Sequence, residues 1–364
     1  MSFPFGLALP KHSLEDRITT KHKTTMVINR GDIVCTNRCK TLIMNSKALI
    51  FIILCFGLKS TFAQSNSALN IQINEGSGFF QIEGGLGHRS DSITIYYHKP
   101  KNMASNSKIL LVIPGAGRNG DSYRDSWIET SEKHSVLIIS PSYPEAKYSY
   151  GDYHLGGIVK ALNLTKGITF KKNSNQVLMD EAIVEFNINL NSNQWIYNDF
   201  DRIFKMVKKS TKSKQRKYDM FGHSAGGQIL HRYVMMHPNS KADRILASNA
   251  GTYTLTDYST DFPFGIKNMD FNKKQLSKAF KKSLVLFLGE LDNAEETGGR
   301  MLRSKTADKQ GTHRLARGNY FYNHSVETAK ELNVKFNWNL VVIPEVGHHQ
   351  REMAKAAAKY LYSN

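Results

Sequence analysis

A serine between two glycines is the first residue of this sequence whose type and spacing could do chemistry. Ser224 lies in the stretch GHSAG at positions 222–226. The apolar run before it, YDMFG, predicts a buried strand, and the run after it, GGQILHRYVMMH, predicts a helix. This context is typical of a nucleophile elbow, in which small neighbours allow a strained turn that lifts the hydroxyl above the sheet. We therefore predict that Ser224 is a nucleophile.

A serine hydroxyl becomes a useful nucleophile only when a base removes its proton. His348 follows the last predicted strand, in the stretch PEVGHH, and is the predicted base, with the adjacent His349 as the alternative. The metal-site interpretation of this histidine pair is weaker, because neighbouring histidines point apart and no further ligands have suitable spacing.

The base in turn needs an acid that fixes its tautomer. Asp292 lies just after the predicted strand LFLG and is the predicted acid, while Glu290 and Glu295 in the same loop are alternatives. The non-catalytic alternative is that Asp292 only stabilises its own loop by forming an Asx turn. The chain order of serine, aspartate and histidine differs from the orders of chymotrypsin and subtilisin.

Acyl transfer also needs donors for the negative charge that develops on the carbonyl oxygen. The loop in VIPGAGRNG follows a predicted strand at positions 108–115. We predict that the backbone N–H of Ala116 or Gly117 and that of Ala225 form this oxyanion site. An ordinary glycine turn is the alternative for the loop.

Several residues in loops near the predicted site could contact a substrate. Arg118 and Asn119 follow the oxyanion glycines and could bind a carboxylate or hydroxyl, or could equally fix the loop. The aromatic candidates, which could stack on a sugar or an aromatic acyl group but are individually typical packing residues, are Tyr143, Tyr148, Tyr150, Tyr153, Trp195 and Tyr253.

Short apolar runs alternate with helical patterns along most of the chain, which predicts an α/β fold with a mostly parallel sheet and helices on both faces. Predicted strands are KILLVIPG, SVLIISPSYP, YDMFG, RILASNAG, KSLVLFLGE and FNWNLVVIP, and predicted helices include the segment from Ile196 to Val207, YFYNHSVETAKELN and REMAKAAAKYLY. FFQIEG and SITIYYHKP predict an antiparallel hairpin at one edge. Residues 145–193 lack a period and predict a cap inserted over the catalytic edge.

The N-terminal region has the layout of an export signal. Residues 44–63 combine Lys47, an apolar run and the small-residue site Thr61-Phe62-Ala63. This is the pattern of a signal peptide, and the run is shorter than the roughly 20 residues of a membrane span. We expect residues 1–43 to be an over-extended start or a leader, residues 64–364 to form the hydrolase-like domain, and the protein to be exported without a stable membrane span.

The cysteine content and the net charge limit the kinds of site that the protein can have. The three cysteines, Cys35, Cys39 and Cys55, all precede residue 64, so a form cut there has no thiol for disulfides, catalysis or metal binding. Residues 1–63 hold nine Lys/Arg and three Asp/Glu; subtracting these from 49 and 31 leaves 40 and 28, a net charge of +12. The basic stretch at 208–217 has no interleaved aromatics, so we expect a solvated loop rather than a nucleic-acid site.

The motifs GHSAGGQILHR, SNAGTYT, FPFG, LGELDN, HRLARGNYF and PEVGHH resemble the α/β-hydrolase superfamily. Within it, the chain is similar to exported serine esterases related to the polyhydroxybutyrate-depolymerase and feruloyl-esterase type, although many of these have histidine where Pro114 stands. The resemblance implies a carboxylic-ester hydrolase that uses Ser224, Asp292 and His348 and needs no metal or organic cofactor. A serine peptidase with the same triad and a non-catalytic binding protein on this scaffold are the alternatives.

Overall fold

The computed structural model describes residues 71–363. Thirteen strands are present in this part of the chain. They are β1 (Gly76–Glu83), β2 (Ser92–Lys99), β3 (Ile109–Ile113), β4 (Leu137–Ser142), β5 (Val159–Lys160), β6 (Ile168–Phe170), β7 (Gln176–Met179), β8 (Asn187–Ile188), β9 (Tyr218–His223), β10 (Ala242–Ser248), β11 (Ser283–Gly289), β12 (Met301–Arg303) and β13 (Asn339–Ile343).

Eight of these strands form the central sheet, in the order β1-β2-β4-β3-β9-β10-β11-β13. From β4 to β13 neighbouring strands are parallel, and β2 runs against both of its neighbours. The antiparallel hairpin of β1 and β2 at one edge is therefore confirmed. The central strands are buried on both faces, which is why their sequences are continuous apolar runs rather than alternating ones.

Helices cover both faces of the sheet, as predicted, and each face has its own apolar core. The helices are α1 (Gly120–Asp125), α2 (Ile128–His134), α3 (Tyr150–Tyr153), α4 (Tyr197–Ser210), α5 (Ala225–Met236), α6 (Lys273–Phe280), α7 (Arg314–Glu331) and α8 (Gln350–Tyr362). Side chains of α4, α5, α6 and α7 belong to one core, and those of α1 and α8 to the other. The α/β-hydrolase fold predicted from the sequence is confirmed.

Helix α7 begins at Arg314, six residues before the predicted start at Tyr320. Its first turns contain two arginines, Arg314 and Arg317, which a hydrophobic pattern assigns to solvent. Both are nevertheless buried, because each forms a salt bridge with an aspartate. The prediction of the helix start was wrong for this reason.

Residues 145–193 fold into α3 and the short strands β5 to β8. Strand β5 pairs with β8, and β6 pairs with β7, in both cases antiparallel. Strand β7 also pairs with β12, which lies downstream of β11. The insertion is thus joined by backbone hydrogen bonds to the segment that follows Asp292. The function of this segment as a cap stays a prediction.

The signal peptide at 44–63 and the leader at 1–43 lie outside the described residues. Within residues 71–363, no helix combines the length and the apolar composition that a bilayer crossing requires.

Candidate active site

The turn at Ser224 joins β9 to α5 and has the geometry of a nucleophile elbow. Ser224 has φ 60° and ψ −115°, a conformation that a non-glycine residue rarely adopts. A Cβ on Gly226 would lie 2.1 Å from the carbonyl oxygen of Ile113, and one on Gly222 would lie 2.5 Å from the carbonyl oxygen of Gly226. Larger residues at these two positions would therefore push the helix away from the sheet, so the turn requires both glycines.

The structure brings the three predicted triad residues together. His348 lies in the loop between β13 and α8, and its Nε2 is 3.1 Å from the Oγ of Ser224. Its Nδ1 is 2.7 Å from the Oδ2 of Asp292, which lies in the loop after β11. Strands β9, β11 and β13 are parallel, so their carboxyl ends bring all three loops to one edge of the sheet.

Two side chains that the sequence reasoning missed hold the histidine loop in place. The Oε2 of Glu296 accepts a hydrogen bond of 2.6 Å from the backbone N–H of His348. Partial burial raises the pKa of Glu296, but the N–H groups of His348 and Gly298 outweigh it and hold the pKa below its ordinary value. Asn249 donates from Nδ2 to the carbonyl of Gly347 at 3.1 Å. Both hydrogen bonds hold the peptide unit between Gly347 and His348, so the backbone that carries the imidazole is fixed on its N-terminal side.

Asp292 is 1% exposed and has a second buried partner, Arg314. Arg314 Nη1 donates to Oδ1 of Asp292 at 3.0 Å, while His348 uses the other carboxylate oxygen. The second guanidinium nitrogen of Arg314 donates to the carbonyl of Arg300 at 2.9 Å. A buried carboxylate is costly unless it is paired with a cation, and Arg314 supplies that cation while leaving Oδ2 to His348.

Replacing Arg314 by methionine should therefore lower the free energy of unfolding by about 3–5 kcal/mol, because Asp292 would remain buried without its cation. Urea unfolding of the two proteins at pH 7 measures the difference. The matched control is Arg303→Met, which removes an arginine whose salt bridge with Asp308 is more exposed; its loss should be smaller. Equal losses in both variants would contradict a special role for Arg314 beside Asp292.

The alternatives to the predicted base and acid do not belong to the chain of hydrogen bonds that joins Ser224, His348 and Asp292. His349 is exposed and caps α8 by accepting from the N–H of Glu352. Glu290 accepts a hydrogen bond of 2.9 Å from the N–H of Glu345, and Glu295 is exposed.

The proposed oxyanion donors lie beside the nucleophile. A Cβ on Gly115 would be 3.5 Å from the Cβ of Ser224, so the loop after β3 directly adjoins the serine. Within the described part of the chain, the N–H groups of Ala116, Gly117 and Ala225 make no hydrogen bond. Ala225 is also the first residue of α5, where backbone N–H groups have no partner within the helix. All three N–H groups are therefore available to a ligand.

His223 is a neighbour of the base that the sequence reasoning did not single out. Its ring centroid lies 4.6 Å from that of His348, and both of its ring nitrogens are buried without a hydrogen-bond partner among the described residues. Burial lowers the pKa of His223 well below its ordinary value, so the ring is neutral. It therefore packs against His348 without adding a second positive charge.

The predicted substrate residues mostly serve the fold. The guanidinium of Arg118 donates to backbone carbonyls at Tyr143, Tyr148 and Ser149, so it ties the oxyanion loop to the insertion. Asn119 is exposed just before α1. We assign no substrate contact to the buried aromatic rings, because each has its partners in the core.

Those partners are specific. The hydroxyl of Tyr143 donates to Asp199 at 3.3 Å, and the Nε1 of Trp195 donates to the carbonyl of Asn189 at 2.9 Å. Tyr253 is fully buried and stacks on Phe321, with ring centroids 4.8 Å apart. Tyr148 and Tyr153 are fully buried as well, whereas Tyr150 is partly exposed.

A polar pocket of about 560 Å³ lies beside the histidine. It is lined by residues 173–176 of the insertion and by the loop that follows Asp292, from Ala294 to Arg300. A Cβ on Gly299, in this lining, would be 2.7 Å from the Cδ2 of His348. Gly299 therefore connects the lining of this pocket to the edge of the imidazole.

Comparisons with known proteins agree with this fold. No family model matches the chain, and no curated protein matches it. Poly(aspartic acid) hydrolase-1 from Sphingomonas sp. KT-1 is 32% identical over 80% of this chain and 100% of its own, with a TM-score of 0.67. The poly(3-hydroxybutyrate) depolymerase LpqC from Bordetella parapertussis is 23% identical over 80% of this chain and 90% of its own, with a TM-score of 0.68. At this identity the similarity is evidence for a shared fold only. The chain thus belongs to the α/β-hydrolase superfamily, is a hydrolase, and resembles members of the polyhydroxybutyrate-depolymerase and feruloyl-esterase type.

Proposed function

We propose that this chain is a serine hydrolase that cleaves carboxylic esters through an acyl-enzyme on Ser224. The observation that carries the proposal is the line of hydrogen bonds from Ser224 through His348 to Asp292, at 3.1 and 2.7 Å. This line starts at a strained turn beside three backbone N–H groups that make no hydrogen bond within residues 71–363. Such an arrangement supplies a nucleophile, a base, an orienting acid and oxyanion donors.

In the first half of the reaction, Ser224 Oγ attacks the ester carbonyl carbon while Nε2 of His348 takes the hydroxyl proton. The carbonyl π electrons move to oxygen, where the N–H groups of Ala116 or Gly117 and Ala225 donate to the negative charge. When the carbonyl re-forms, the C–O bond to the alcohol breaks and His348 returns the proton to the leaving oxygen. Water then hydrolyses the acyl-serine by the same steps.

Asp292 accepts a hydrogen bond from Nδ1–H of His348 throughout and so keeps the lone pair of Nε2 directed at the serine. It also stabilises the imidazolium that forms in each half-reaction.

The pH dependence follows from the environment of the base. Burial lowers the pKa of His348 below its ordinary value of 6.5, and this outweighs the opposite effect of Asp292. His348 accepts a proton only when neutral, so we expect kcat/KM for p-nitrophenyl butyrate to fall with acid at a midpoint below 6.5. Initial rates between pH 4 and 9 measure this midpoint. A midpoint above 6.5 would contradict the proposed environment of the base.

We also infer that the protein is exported after cleavage behind residue 63, and that residues 145–193 cap the site. The export proposal depends on the signal pattern at 44–63. The cap proposal depends on the pairing of β7, in the insertion, with β12, which follows the loop that carries Asp292. Intact mass of the secreted or periplasmic protein tests the first. A mature N-terminus upstream of residue 44 would contradict it.

A second candidate function is amide hydrolysis by the same triad, on an acidic polymer. Two observations favour it. The relative at 32% identity is named a poly(aspartic acid) hydrolase. This chain also has a basic net charge, which would attract a polyanion.

A substrate panel separates the candidates. p-Nitrophenyl butyrate, poly(3-hydroxybutyrate), poly(aspartic acid) and a casein-derived peptide would be incubated with wild type and Ser224→Ala. Ester turnover that disappears in the variant supports the esterase proposal, and shortening of poly(aspartic acid) alone favours the second candidate. If a folded wild type cleaves none of them, the non-catalytic binding protein becomes the better description.

A further inference from the structure

A cavity of about 890 Å³ lies apart from the triad and has no assigned role. It lies between the insertion at 145–193 and the segment after β10, from Thr252 to Asn268. Its volume is in the range of sites that hold a small organic molecule. Its apolar lining includes Leu155, Leu162, Val184, Phe186, Ile188 and Phe262.

A buried arginine forms part of the wall of this cavity. Arg232 has no exposed surface, and it lines the cavity together with Thr252, which is 4% exposed. Arg232 belongs to α5, eight residues after Ser224, which corresponds to about 12 Å along the helix. The cavity and the nucleophile are thus attached to the same helix but are separate places on it.

Neutral oxygen atoms are the acceptors for this guanidinium. Nε donates to Oγ1 of Thr254 at 2.8 Å, and Nη1 donates to the carbonyl of His154 at 2.9 Å. Weaker bonds of 3.4 Å lead to the carbonyl of Gln228 and to Oγ1 of Thr252. Among the described residues, no carboxylate forms a salt bridge with Arg232. Its hydrogen bonds are therefore largely satisfied while its charge is not.

Two buried arginines of α7 differ from Arg232 because each has a carboxylate partner. Arg314 and Arg317 each form a salt bridge with an aspartate, at 3.0 and 2.9 Å. A buried cation without a counter-charge is costly, and an anion that binds close to it supplies the missing charge. The part of the cavity wall next to Arg232 therefore favours a negatively charged group.

Four other charged side chains line the cavity, namely Glu181, Glu185, Asp261 and Lys309. Glu185 and Asp261 are exposed, and Asp261 is 3.5 Å from Lys267. Glu181 is partly exposed and accepts hydrogen bonds from the N–H and hydroxyl of Thr306 at 2.6 and 2.5 Å. These carboxylates repel an anion but are hydrated or hydrogen-bonded, whereas Arg232 is buried without a carboxylate partner, so the anionic end of a ligand is best placed next to Arg232.

We propose that this cavity is a second ligand site, which binds a small carboxylic acid with an apolar body and directs its carboxylate toward Arg232. The apolar walls bury the hydrocarbon part, and the uncompensated guanidinium selects the anion over a neutral molecule of the same shape. This site does not depend on the proposed esterase activity, because its residues are not those of the triad.

Octanoate and its neutral counterpart octanamide are the probes for the test. Isothermal titration calorimetry would measure both against the wild type, Arg232→Gln, Val184→Trp and Lys214→Gln. Val184→Trp fills the cavity without altering Arg232, and Lys214→Gln removes one exposed positive charge elsewhere. Circular dichroism would verify that each variant is folded.

We expect wild type to bind octanoate at least about tenfold more tightly than octanamide, since a tenfold change corresponds to a modest electrostatic preference. Arg232→Gln should lose that preference, Val184→Trp should lose binding of both probes, and Lys214→Gln should behave as wild type. If Arg232→Gln does not fold, Val184→Trp and the comparison of probes still decide the question. Equal affinity for the two probes, octanoate binding that survives Val184→Trp, or no binding at millimolar concentration would overturn the proposal.

Discussion

Replacing His348 by alanine is expected to lower kcat for p-nitrophenyl butyrate about a million-fold. The reason is that Ser224 Oγ, 3.1 Å from Nε2, loses the group that removes its proton, and residues of such triads act as a unit. The residual rate should match that of Ser224→Ala. Single-turnover kinetics with excess enzyme would measure both, and thermal unfolding would verify that the fold is retained.

The adjacent histidine provides the matched control. His349 is exposed and makes its hydrogen bond to the first turn of α8, so His349→Ala should cost at most about 1 kcal/mol of stability and leave kcat near the wild-type value. Comparable loss of activity in both variants would mean that the loop position, and not the imidazole of His348, is what matters.

Replacing Asp292 by asparagine should lower kcat about ten-thousand-fold. The carboxylate at 2.7 Å accepts a hydrogen bond from Nδ1–H of His348, whereas an amide can donate a hydrogen bond from its N–H to Nδ1. His348 then carries its proton on Nε2, which no longer accepts from Ser224. Steady-state rates measure the loss, and the shape of the side chain is nearly unchanged.

Glu290→Gln is the control for the acid. Glu290 accepts from the N–H of Glu345 and does not reach the imidazole, so its amide variant should retain most activity. An Asp292→Asn enzyme with nearly normal kcat, or a Glu290→Gln enzyme that is equally damaged, would reassign the acid.

Part of this site could be predicted from the sequence because its signals are local. Ser224 is flanked by glycines within a strand–turn–helix pattern, and His348 and Asp292 each follow a continuous apolar strand. Parallel strands place their carboxyl ends at one edge of the sheet, so residues distant in the chain become neighbours by topology alone. The same argument supports the fold class and the edge hairpin.

The supporting residues have no such local signal. Arg314 begins a helix in a stretch that looks solvent-exposed, and only the three-dimensional structure pairs it with Asp292, 22 residues away. Tyr143 and Tyr253 were possible substrate contacts from their place in loops, with packing as the alternative for each. Both are buried with their rings packed in the core, and only the three-dimensional structure distinguishes the two roles.

Labelling with a fluorophosphonate probe tests the central claim, that Ser224 is an activated nucleophile, most directly. The wild type, Ser224→Ala, His348→Ala and His349→Ala would be treated with the probe, and the modified peptide would be identified by mass spectrometry. Label on Ser224 in the wild type and in His349→Ala, with none in the other two variants, is the predicted result. A folded wild type that takes no label, or label on another residue that persists in Ser224→Ala, would contradict it.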